Sequence, residues 1–407
     1  MSNPLPQALK QYLLVTFNYW NFTITDGALR MLVVLYFHQL GYSAIAIAML
    51  FLFYEFFGVV TNLVGGWLGA RIGLNNTMNI GLGLQVIALL ALALPNQYLS
   101  VPLVMAAQAL SGIAKDLNKM SAKSSIKTLV KSQQQQRLFK WVAILTGSKN
   151  ALKGFGFFLG GALLHWIGFQ YSMLAMAAVL LLVLSLSSRL LAKDLGKAKH
   201  KAKFSQLFSK SPQINTLAAA RLFLFAARDV WFVVALPVFL GASLGWSQLE
   251  IGSFMASWVI AYGLVQGLAP RLIGNSDGNM PGRAAAVTWV ALLCIVTALL
   301  ASLLQLAWQP QLSIVIGLIL FGAVFAVNSS LHSFLVVSYA SEDGVSMDVG
   351  FYYMANAMGR LLGTLLSGAV YQLAGLSACL WISLAMLVLT CVISLKLPQT
   401  SPNQLGD

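Results

Sequence analysis

Apolar residues occur along this chain in long runs, and short polar stretches separate the runs at nearly regular intervals. A run of about 20 apolar residues is long enough for a helix to cross a bilayer. The pattern therefore predicts an all-α, polytopic membrane protein with twelve transmembrane helices. The predicted spans are residues 12–38, 44–69, 77–94, 99–124, 139–164, 169–190, 213–240, 248–270, 284–305, 311–338, 346–371 and 376–396.

The composition supports this class of protein. Of the 407 residues, 58% are hydrophobic and 9% are charged, and the mean hydropathy is +0.79. A soluble domain is about half apolar and about a quarter charged, so a soluble enzyme is not expected. The first span carries Asp26 and Arg30, and no small-residue cleavage pattern follows it, so we expect it to remain in the mature protein.

Lysine and arginine are distributed unequally between the two sides of the predicted spans. The segment 193–212 is rich in lysine, and positively charged loops of this kind stay in the cytoplasm. Both termini are therefore predicted to be cytoplasmic. The net charge of +14 then reflects topology, and no nucleic-acid partner is expected. The loops without any lysine or arginine are 39–43, 95–98, 165–168, 241–247, 306–310 and 372–375.

The same segment, 193–212, separates two halves that resemble each other. The first span ends in "LGYS" at 40–43, and the seventh ends in "LGWS" at 244–247. We predict an N-terminal six-helix half at 1–192, a basic cytoplasmic linker at 193–212 and a C-terminal six-helix half at 213–407. The corresponding positions include Asp26 and Asp229, Asn118 and Asn328, Lys153 and Arg360, and Gly156 and Gly363.

Parallel six-span repeats joined by a charged linker are typical of the major facilitator superfamily, which the chain resembles over its whole length. That fold places a substrate near the midplane between the halves and works by rocking them. The stretch "GGWLGARIG" (65–73) lies where the superfamily keeps its loop 2–3 signature. Arg71 and Gly73 match, but Ala70 stands where an Asp is usual, so the acid of the usual gating salt bridge is missing.

Ionisable residues inside the predicted spans indicate a substrate site, because charges at that depth are costly unless they serve a pathway. Eight cations and four acids, Asp116 among the latter, leave an excess of +4, which favours an anion with several charges. The candidates for proton coupling are Asp26, Glu55 and Asp229. The predicted substrate-binding residues are Arg30, Lys115, Lys119, Lys149, Lys153, Arg221, Arg228, Arg360 and Asn118.

Each of these residues has a structural alternative. Arg30 is one turn from Asp26 and could pair with it, and Arg228 could pair across the halves with Asp26 or Asp116. For the asparagines, polar contact between helices is the default expectation. Ligand contact is favoured for Lys149, Lys153 and Arg360, which have no obvious nearby acid in the sequence.

A ladder of lysines occupies every fourth position of "ALSGIAKDLNKMSAKSSIKTLVK", residues 109–131. Because four residues make about one helical turn, neighbouring lysines lie on one side of a helix. We expect the first two to face a cavity and the last three to snorkel towards the inner surface. In chain order the ladder is Lys115, Lys119, Lys123, Lys127 and Lys131.

No catalytic residues, metal site or cofactor are expected. Cys294, Cys379 and Cys391 all lie in spans, without metal-ligand spacing, and a disulfide framework is excluded. A membrane enzyme that acts on phosphorylated lipid would need a nucleophile with a base, or a metal cluster, and no such arrangement is present in the sequence. We therefore predict that the protein is not an enzyme.

Two stretches go beyond the superfamily, "NYWNFTITDGALRMLVVLYFHQLGYS" (18–43) and "ALSGIAKDLNKMSAKSSIK" (109–127). They resemble the organoarsenical efflux permeases of the ArsJ family. The resemblance implies export of 1-arseno-3-phosphoglycerate across a bacterial inner membrane, which gives arsenate resistance. It also implies a functional partner, the glyceraldehyde-3-phosphate dehydrogenase that makes this ester when arsenate replaces phosphate.

Two other transporters remain open at this point. An exchanger of organic phosphate for inorganic phosphate would share the cationic cavity but would need no proton-carrying carboxylate. A multidrug pump is disfavoured, because the cationic excess repels cationic drugs. The other expected partners are the lipid bilayer and the small anionic substrate, and we expect a monomer.

Overall fold

The computed structural model describes residues 7–42, 50–129, 135–192, 195, 197, 211–246, 248–273, 281–341 and 345–399. Within these ranges the regular structure is helical, with eleven α-helices and one 3₁₀ helix, Asn96–Tyr98. Most of the predicted linker, and Lys131 of the lysine ladder, lie outside the described residues. The α-helices are α1 (Gln7–Gln39), α2 (Leu52–Ile72), α3 (Leu74–Leu92), α4 (Val101–Leu129), α5 (Gln135–Leu190), α6 (Pro212–Phe232), α7 (Ala235–Ala242), α8 (Gln248–Ile273), α9 (Arg283–Gln305), α10 (Pro310–Tyr339) and α11 (Val345–Ser394).

The predicted spans are found in these helices as far as the residues are described, with ends that move by a few residues, and the predicted start of the second span at residue 44 lies outside the described residues. Both α5 and α11 contain two spans, which join at Gly168 (φ +76°) and Gly375 (φ +74°). Only glycine adopts such a positive φ without strain, so each glycine turns the chain between two helices. Span 7 is divided between α6 and α7, and the hydroxyl of Ser367 accepts hydrogen bonds from the backbone N–H groups of Val234 (3.3 Å) and Ala235 (3.1 Å) at the break.

Among the described residues, five helices are long and apolar enough to cross a membrane by length and composition alone. Candidate site residues lie both in these helices, such as Lys153 and Arg360, and in the other spans, such as Asp26 and Asp229. The five are Leu74–Leu92, Leu138–Leu190, Arg283–Gln305, Pro310–Tyr339 and Val345–Ser394.

The chain divides into two compact units. Unit 1 comprises residues 1–134, 148–209 and 340–354, and unit 2 comprises residues 135–147, 210–339 and 355–407. Each unit therefore contains most of one sequence half and one short segment of the other half. The predicted domain bounds at 192 and 213 stay a prediction.

Close helix crossings position the charged residues in each unit. In unit 1, a Cβ atom at Gly27 would lie 2.7 Å from the carbonyl oxygen of Lys153 and 3.3 Å from Gly156, so α1 and α5 cross with their backbones nearly in contact. In unit 2, a Cβ at Gly363 would lie 2.7 Å from the carbonyl oxygen of Ala226, so α6 and α11 cross in the same way. The two crossings use Gly156 and Gly363, which correspond in the repeat.

Candidate substrate-binding site

Asp26 is the buried carboxylate at the α1–α5 crossing of unit 1, and it is 4% exposed. The hydroxyl of Tyr54 on α2 donates a 2.7 Å hydrogen bond to Asp26 Oδ1. The ammonium of Lys153 lies 3.9 Å from Asp26 Oδ2. Lys153 therefore has an acid partner, although the sequence offered no obvious one, because that partner belongs to a different helix.

The Tyr54 side chain that donates to Asp26 also lies beside two more cations, Arg30 and Lys115. The guanidinium carbon of Arg30 lies 4.6 Å from the centre of the Tyr54 ring, and the ammonium of Lys115 lies 3.9 Å from it. Arg30 also forms an ion pair with Glu55 at 3.1 Å. The structural alternative for Arg30 is a pair with Asp26; the closest contact is instead with Glu55 on α2, and Arg30 also interacts electrostatically with Asp26.

Asp116 is a second buried carboxylate of unit 1, and two rungs of the lysine ladder share it. The ammonium groups of Lys115 and Lys119 lie 3.7 and 2.5 Å from its two oxygens. Lys119 also lies 4.8 Å from the centre of the Tyr353 ring. The predicted cavity-facing lysines are therefore largely covered, with side chains 15% and 12% exposed.

Lys123 and Lys127, the next two lysines of the ladder, do not show the expected snorkelling. Lys123 is 2% exposed, and its ammonium lies 5.8 Å from the centre of the Tyr353 ring. The prediction for Lys123 is wrong, because the aromatic ring covers it before it can reach the surface. Lys127 is partly buried and donates a 2.8 Å hydrogen bond to the carbonyl oxygen of Ala340.

Asp229 on α6 is the carboxylate of unit 2, and it is fully buried. Arg228 lies 2.5 Å from Asp229 Oδ1, and Arg360 lies 3.4 Å from Oδ2. Within unit 2 the acid that Arg228 contacts is the next residue in the chain, and its pairing across the halves with Asp26 or Asp116 stays a hypothesis. Arg360 has no obvious acid nearby in the sequence, but it contacts Asp229 because α11 crosses α6 at that point.

Arg221 is the most deeply buried cation of unit 2, with 3% exposure. It donates hydrogen bonds to Asn356 Oδ1 at 2.8 Å and to the hydroxyl and carbonyl oxygens of Ser329 at 3.2 and 3.3 Å. The ring of Phe225 lies 3.9 Å from Arg221 Cζ and 4.8 Å from Arg228 Cζ. The position of Arg221 favours a structural role over ligand contact.

The remaining predicted residues have different surroundings. Lys149 is half-buried on α5, one turn before Lys153. Asn118 is fully buried, donates a 2.9 Å hydrogen bond to Ala114 O, and fills the space that a Cβ at Gly81 would need. Asn328 likewise donates to the carbonyl four residues earlier, at 3.1 Å. The surroundings of Asn118 favour helix packing over substrate contact.

These contacts define two groups of charged residues, one in each unit. The unit 1 cluster has four cations and three carboxylates, and the unit 2 cluster has three cations and one carboxylate. Sequence reasoning assigned no role to the aromatic rings of Phe225 and Tyr353. The unit 1 cluster is Arg30, Lys115, Lys119, Lys153, Asp26, Glu55, Asp116 and Tyr54, and the unit 2 cluster is Arg221, Arg228, Arg360, Asp229 and Phe225.

A signal in the sequence could have identified the two interhelical pairs. Asp26 and Asp229 correspond in the repeat, and so do Lys153 and Arg360. Each cation precedes a crossing glycine by three residues, in "KGFG" (153–156) and "RLLG" (360–363). Residues three apart lie on the same side of a helix, so the glycine that allows the close crossing also directs the cation towards the facing helix.

Comparison with known proteins identifies the family. The family model described as "Major Facilitator Superfamily" matches residues 12–343 and 217–406. Quinolone resistance protein NorB of Staphylococcus aureus (strain COL) is 24% identical over 186 residues, which are 42% of this chain and 38% of NorB. The matched region therefore spans less than half of that relative.

Solved structures agree over nearly the whole chain. The human organic anion transporter MFSD10 (TETRAN) has a TM-score of 0.74 at 17% identity, with 96% of this chain and 100% of that chain covered. The E. coli fucose:proton symporter FucP (N162A) has a TM-score of 0.75 at 12% identity, with 96% and 98% covered. At such identities the likeness shows the fold alone. The chain, with its all-helical multi-pass architecture, belongs to the Major Facilitator Superfamily of membrane transporters.

Proposed function

We propose that this transporter exports a small multivalent anion, 1-arseno-3-phosphoglycerate, by alternating access. The observation that supports an anionic cargo is the charge of the two clusters. Four cations against three carboxylates leave +1 in the unit 1 cluster, and three against one leave +2 in the unit 2 cluster. Each of the four carboxylates lies within 4 Å of at least one cation, and the net charge of each cluster is positive, which favours an anionic ligand.

The exposed members of the clusters suit oxyanion recognition. The side chains of Arg30, Lys153 and Arg360 are 29%, 22% and 37% exposed, so a ligand can reach them. Guanidinium groups bind the oxygens of a tetrahedral anion as a fork, and an ammonium acts as a point charge. A three-carbon ester that carries a phosphate and an arsenate group matches this chemistry.

The identity of the arsenylated ester depends on the sequence resemblance in residues 18–43 and 109–127. In this proposal a glyceraldehyde-3-phosphate dehydrogenase supplies the ester in the cytoplasm, and breakdown of the exported ester outside the cell releases arsenate. The protein would lie in a bacterial inner membrane as a monomer, with both termini in the cytoplasm. The proton gradient would drive export through Asp26, Glu55 or Asp229.

A second candidate function uses the same clusters, namely exchange of an organic phosphate for inorganic phosphate. Both anions would bind to the same cations, and no proton-carrying carboxylate would be needed. The name of NorB suggests drug efflux as a third candidate, but its likeness covers 42% of this chain at 24% identity. The excess of cations also opposes cationic drugs.

The test is accumulation of labelled arsenate in everted vesicles that contain the protein. The vesicles are supplied with arsenate alone, or with arsenate, purified glyceraldehyde-3-phosphate dehydrogenase, its triose phosphate and NAD. We expect accumulation only with the complete mixture, and collapse of the proton gradient should abolish it.

The other results would each change the proposed function. Accumulation of arsenate alone would make the protein an oxyanion carrier. No accumulation in vesicles that exchange labelled phosphate for 3-phosphoglycerate would favour the phosphate exchanger. Vesicles without the protein, and vesicles with an Arg360→Gln variant, serve as controls.

A further inference from the structure

We propose that unit 1 contains a second oxyanion-binding site, which we call the Tyr19 site, formed by Tyr19 of α1, Lys119 and Lys123 of α4 and Tyr353 of α11. The site shares Lys119 with the unit 1 cluster and takes a phosphate or arsenate group. The inference rests on the proposed transport of an anion, and it names the residues that bind a second anionic group of the cargo.

The start of α11 belongs to unit 1, and a close crossing with α2 fixes its position. A Cβ atom at Gly350 would lie 2.6 Å from the carbonyl oxygen of Asn62 and 2.9 Å from Gly66 Cα, so the two backbones are nearly in contact. Tyr353 follows Gly350 by three residues and therefore lies on the same side of α11. This crossing explains why the Tyr353 ring reaches the lysines of α4.

The Tyr353 ring lies beside two lysines of the ladder. The ammonium of Lys119 lies 4.8 Å from the ring centre, and the ammonium of Lys123 lies 5.8 Å from it. Both distances are in the range at which an aromatic face attracts a cation. Lys119 shares Asp116 with Lys115, and Lys123 adds a further positive charge one helical turn away. The ring therefore holds two ammonium groups close together.

The hydroxyl of Tyr19 completes the site, because it is a buried donor without an acceptor. Tyr19 is 2% exposed, and its hydroxyl has no hydrogen-bond partner among the residues that the structure describes. The hydroxyl interacts electrostatically with Tyr353, Asp116 and Asp26, so it belongs to the same group of side chains. Buried polar groups without a partner are unfavourable and rare. A bound molecule is therefore expected at this hydroxyl.

The donors of the Tyr19 site identify this molecule as an oxyanion. An ammonium group only donates hydrogen bonds, and the Tyr19 hydroxyl needs an acceptor. The donors come from α1 and from two successive turns of α4, so they approach an acceptor from different directions. The oxygens of a tetrahedral group point in such directions, whereas the two oxygens of a carboxylate lie in one plane. Lysine binds phosphate as a point charge, which fits a tetrahedral anion here.

The position of the Tyr19 site favours a cargo with two anionic groups. Lys119 follows Lys115 by one helical turn, about 6 Å along the axis. Two anionic groups at the ends of a three-carbon chain are a comparable distance apart. One group can therefore bind to Lys119 and Tyr19 while the other binds to the rest of the unit 1 cluster. The side chain of Lys119 is 12% exposed, so it is the member of the site that a ligand reaches first.

Unit 2 does not repeat this arrangement. Asn118 and Asn328 correspond in the repeat, so the residues that follow them correspond as well. These residues are Lys119 in unit 1 and Ser329 in unit 2. The cation near Ser329 comes from α6 instead, since Arg221 donates to its hydroxyl at 3.2 Å. The repeat fold therefore does not require a lysine here, and a charge inside a span that the fold does not require indicates a function.

The first experiment measures binding without transport. The purified protein in detergent is titrated by calorimetry with inorganic phosphate and with 3-phosphoglycerate. We expect both probes to bind, and 3-phosphoglycerate to bind more tightly because it carries two anionic groups. Tyr19→Phe keeps the ring and removes only the hydroxyl. It should raise the Kd of each probe about tenfold, the effect of one hydrogen bond to a charged group.

Two variants of Lys119 test the charge of the site. Lys119→Gln should raise the Kd of both probes about 100-fold, because it removes a cation that contacts the anion. Lys119→Arg keeps the positive charge and should remain within about tenfold of the wild-type Kd. In both variants Lys115 still lies 3.7 Å from Asp116, so the buried carboxylate keeps a cation and folding should be preserved.

The matched control is Tyr12→Phe. Tyr12 is a buried tyrosine of the same helix, two turns before Tyr19 and outside the proposed site. This variant should bind both probes with the wild-type Kd. If Tyr19→Phe also binds both probes with the wild-type Kd, water alone occupies the hydroxyl of Tyr19 and the proposal is wrong. The absence of binding by the wild-type protein would overturn it as well.

The second experiment measures initial rates of accumulation in the everted vesicles with the complete enzyme mixture. Tyr19→Phe should raise KM about tenfold and leave the maximal rate unchanged, because it removes a contact with the bound cargo. A purely structural role of the hydroxyl would instead lower the amount of folded protein in the membrane. The maximal rate would then fall, and KM would stay at the wild-type value.

The two proposals fail in different ways. The expected changes in Kd without any accumulation of arsenic would overturn the arsenylated cargo and leave the Tyr19 site intact. Accumulation of arsenic with a wild-type KM in Tyr19→Phe would overturn the Tyr19 site and leave the cargo intact.

Discussion

The two units place a carboxylate and a cation at the same repeat positions but surround them differently. In unit 1, Asp26 contacts the Tyr54 hydroxyl at 2.7 Å and the Lys153 ammonium at 3.9 Å. In unit 2, Asp229 contacts Arg228 at 2.5 Å and Arg360 at 3.4 Å. The repeat-related carboxylates therefore differ in their partners: Asp26 contacts one hydroxyl and one ammonium, and Asp229 contacts two guanidinium groups.

The physical basis of the difference is the number of charges around each carboxylate. Asp229 is fully buried between two cations, so its removal leaves two like charges in contact without a counter-ion. Asp26 lies within 4 Å of the ammonium of Lys153, whose side chain is 22% exposed, and also interacts electrostatically with Arg30. Asp26 should therefore tolerate neutralisation better than Asp229.

Among the proposed variants, Asp229→Asn should have the largest effect, and it should distinguish the two carboxylates most clearly. Loss of one partner of a buried ion pair costs about 3–5 kcal/mol, so we expect this variant to be aggregated or absent from the membrane. Asp26→Asn should remain folded and monodisperse but should fail to transport. Thermal unfolding of both variants in detergent measures the contrast. Equal stability of the two variants would show that Asp229 is not the structural acid.

Neutralisation of the repeat-related cations should affect transport more than folding. Lys153→Gln and Arg360→Gln should each reduce accumulation about 100-fold, because a charge that contacts the anion contributes about 2–5 kcal/mol. Both variants should still reach the membrane at wild-type levels. Wild-type accumulation by both variants would contradict the assignment of these residues to the substrate.

Lys153→Arg should make unit 1 resemble unit 2. A guanidinium group offers Asp26 a planar fork that the ammonium cannot, and it should hold the carboxylate in place. We expect folding to be unchanged, transport to fall about tenfold, and the pH dependence of transport to weaken. The converse change, Arg360→Lys, is the control and should leave the pH dependence unaltered.

The smallest effects should come from the repeat-related asparagines. Asn118 donates to Ala114 O at 2.9 Å, and Asn328 donates to Val324 O at 3.1 Å and to Trp289 O at 2.9 Å. Polar contacts between membrane helices contribute about 0.6 kcal/mol on average, so each alanine variant should lower stability slightly. Transport should stay within about twofold of wild type. A complete loss of transport in Asn118→Ala alone would instead support substrate contact.

The spans and the repeat could be predicted from the sequence, because both depend on patterns along the chain. The runs of apolar residues predict the twelve spans. Each of the long helices α5 and α11 contains two of these spans, which are separated by Gly168 and Gly375, respectively. Membership of the superfamily followed from the repeat. The superfamily match and the solved structures confirm this level of the prediction.

The partners of the charges could not be predicted in the same way. Asp26 meets Lys153, and Arg30 meets Glu55, only because the helices cross at particular depths and rotations. These depend on side-chain packing in three dimensions, which periodicity along a single helix does not contain. The surroundings of Lys123 could not be predicted for the same reason, because the nearby ring of Tyr353 comes from a distant part of the chain.

Lys127 gives unit 1 a contact that differs in kind from a salt bridge. Its ammonium binds the carbonyl oxygen of Ala340, one residue after α10 ends, where the partial negative charge of a helix accumulates. A peptide carbonyl does not take up a proton on acidification, so acid that would weaken a lysine–carboxylate ion pair should leave this contact intact.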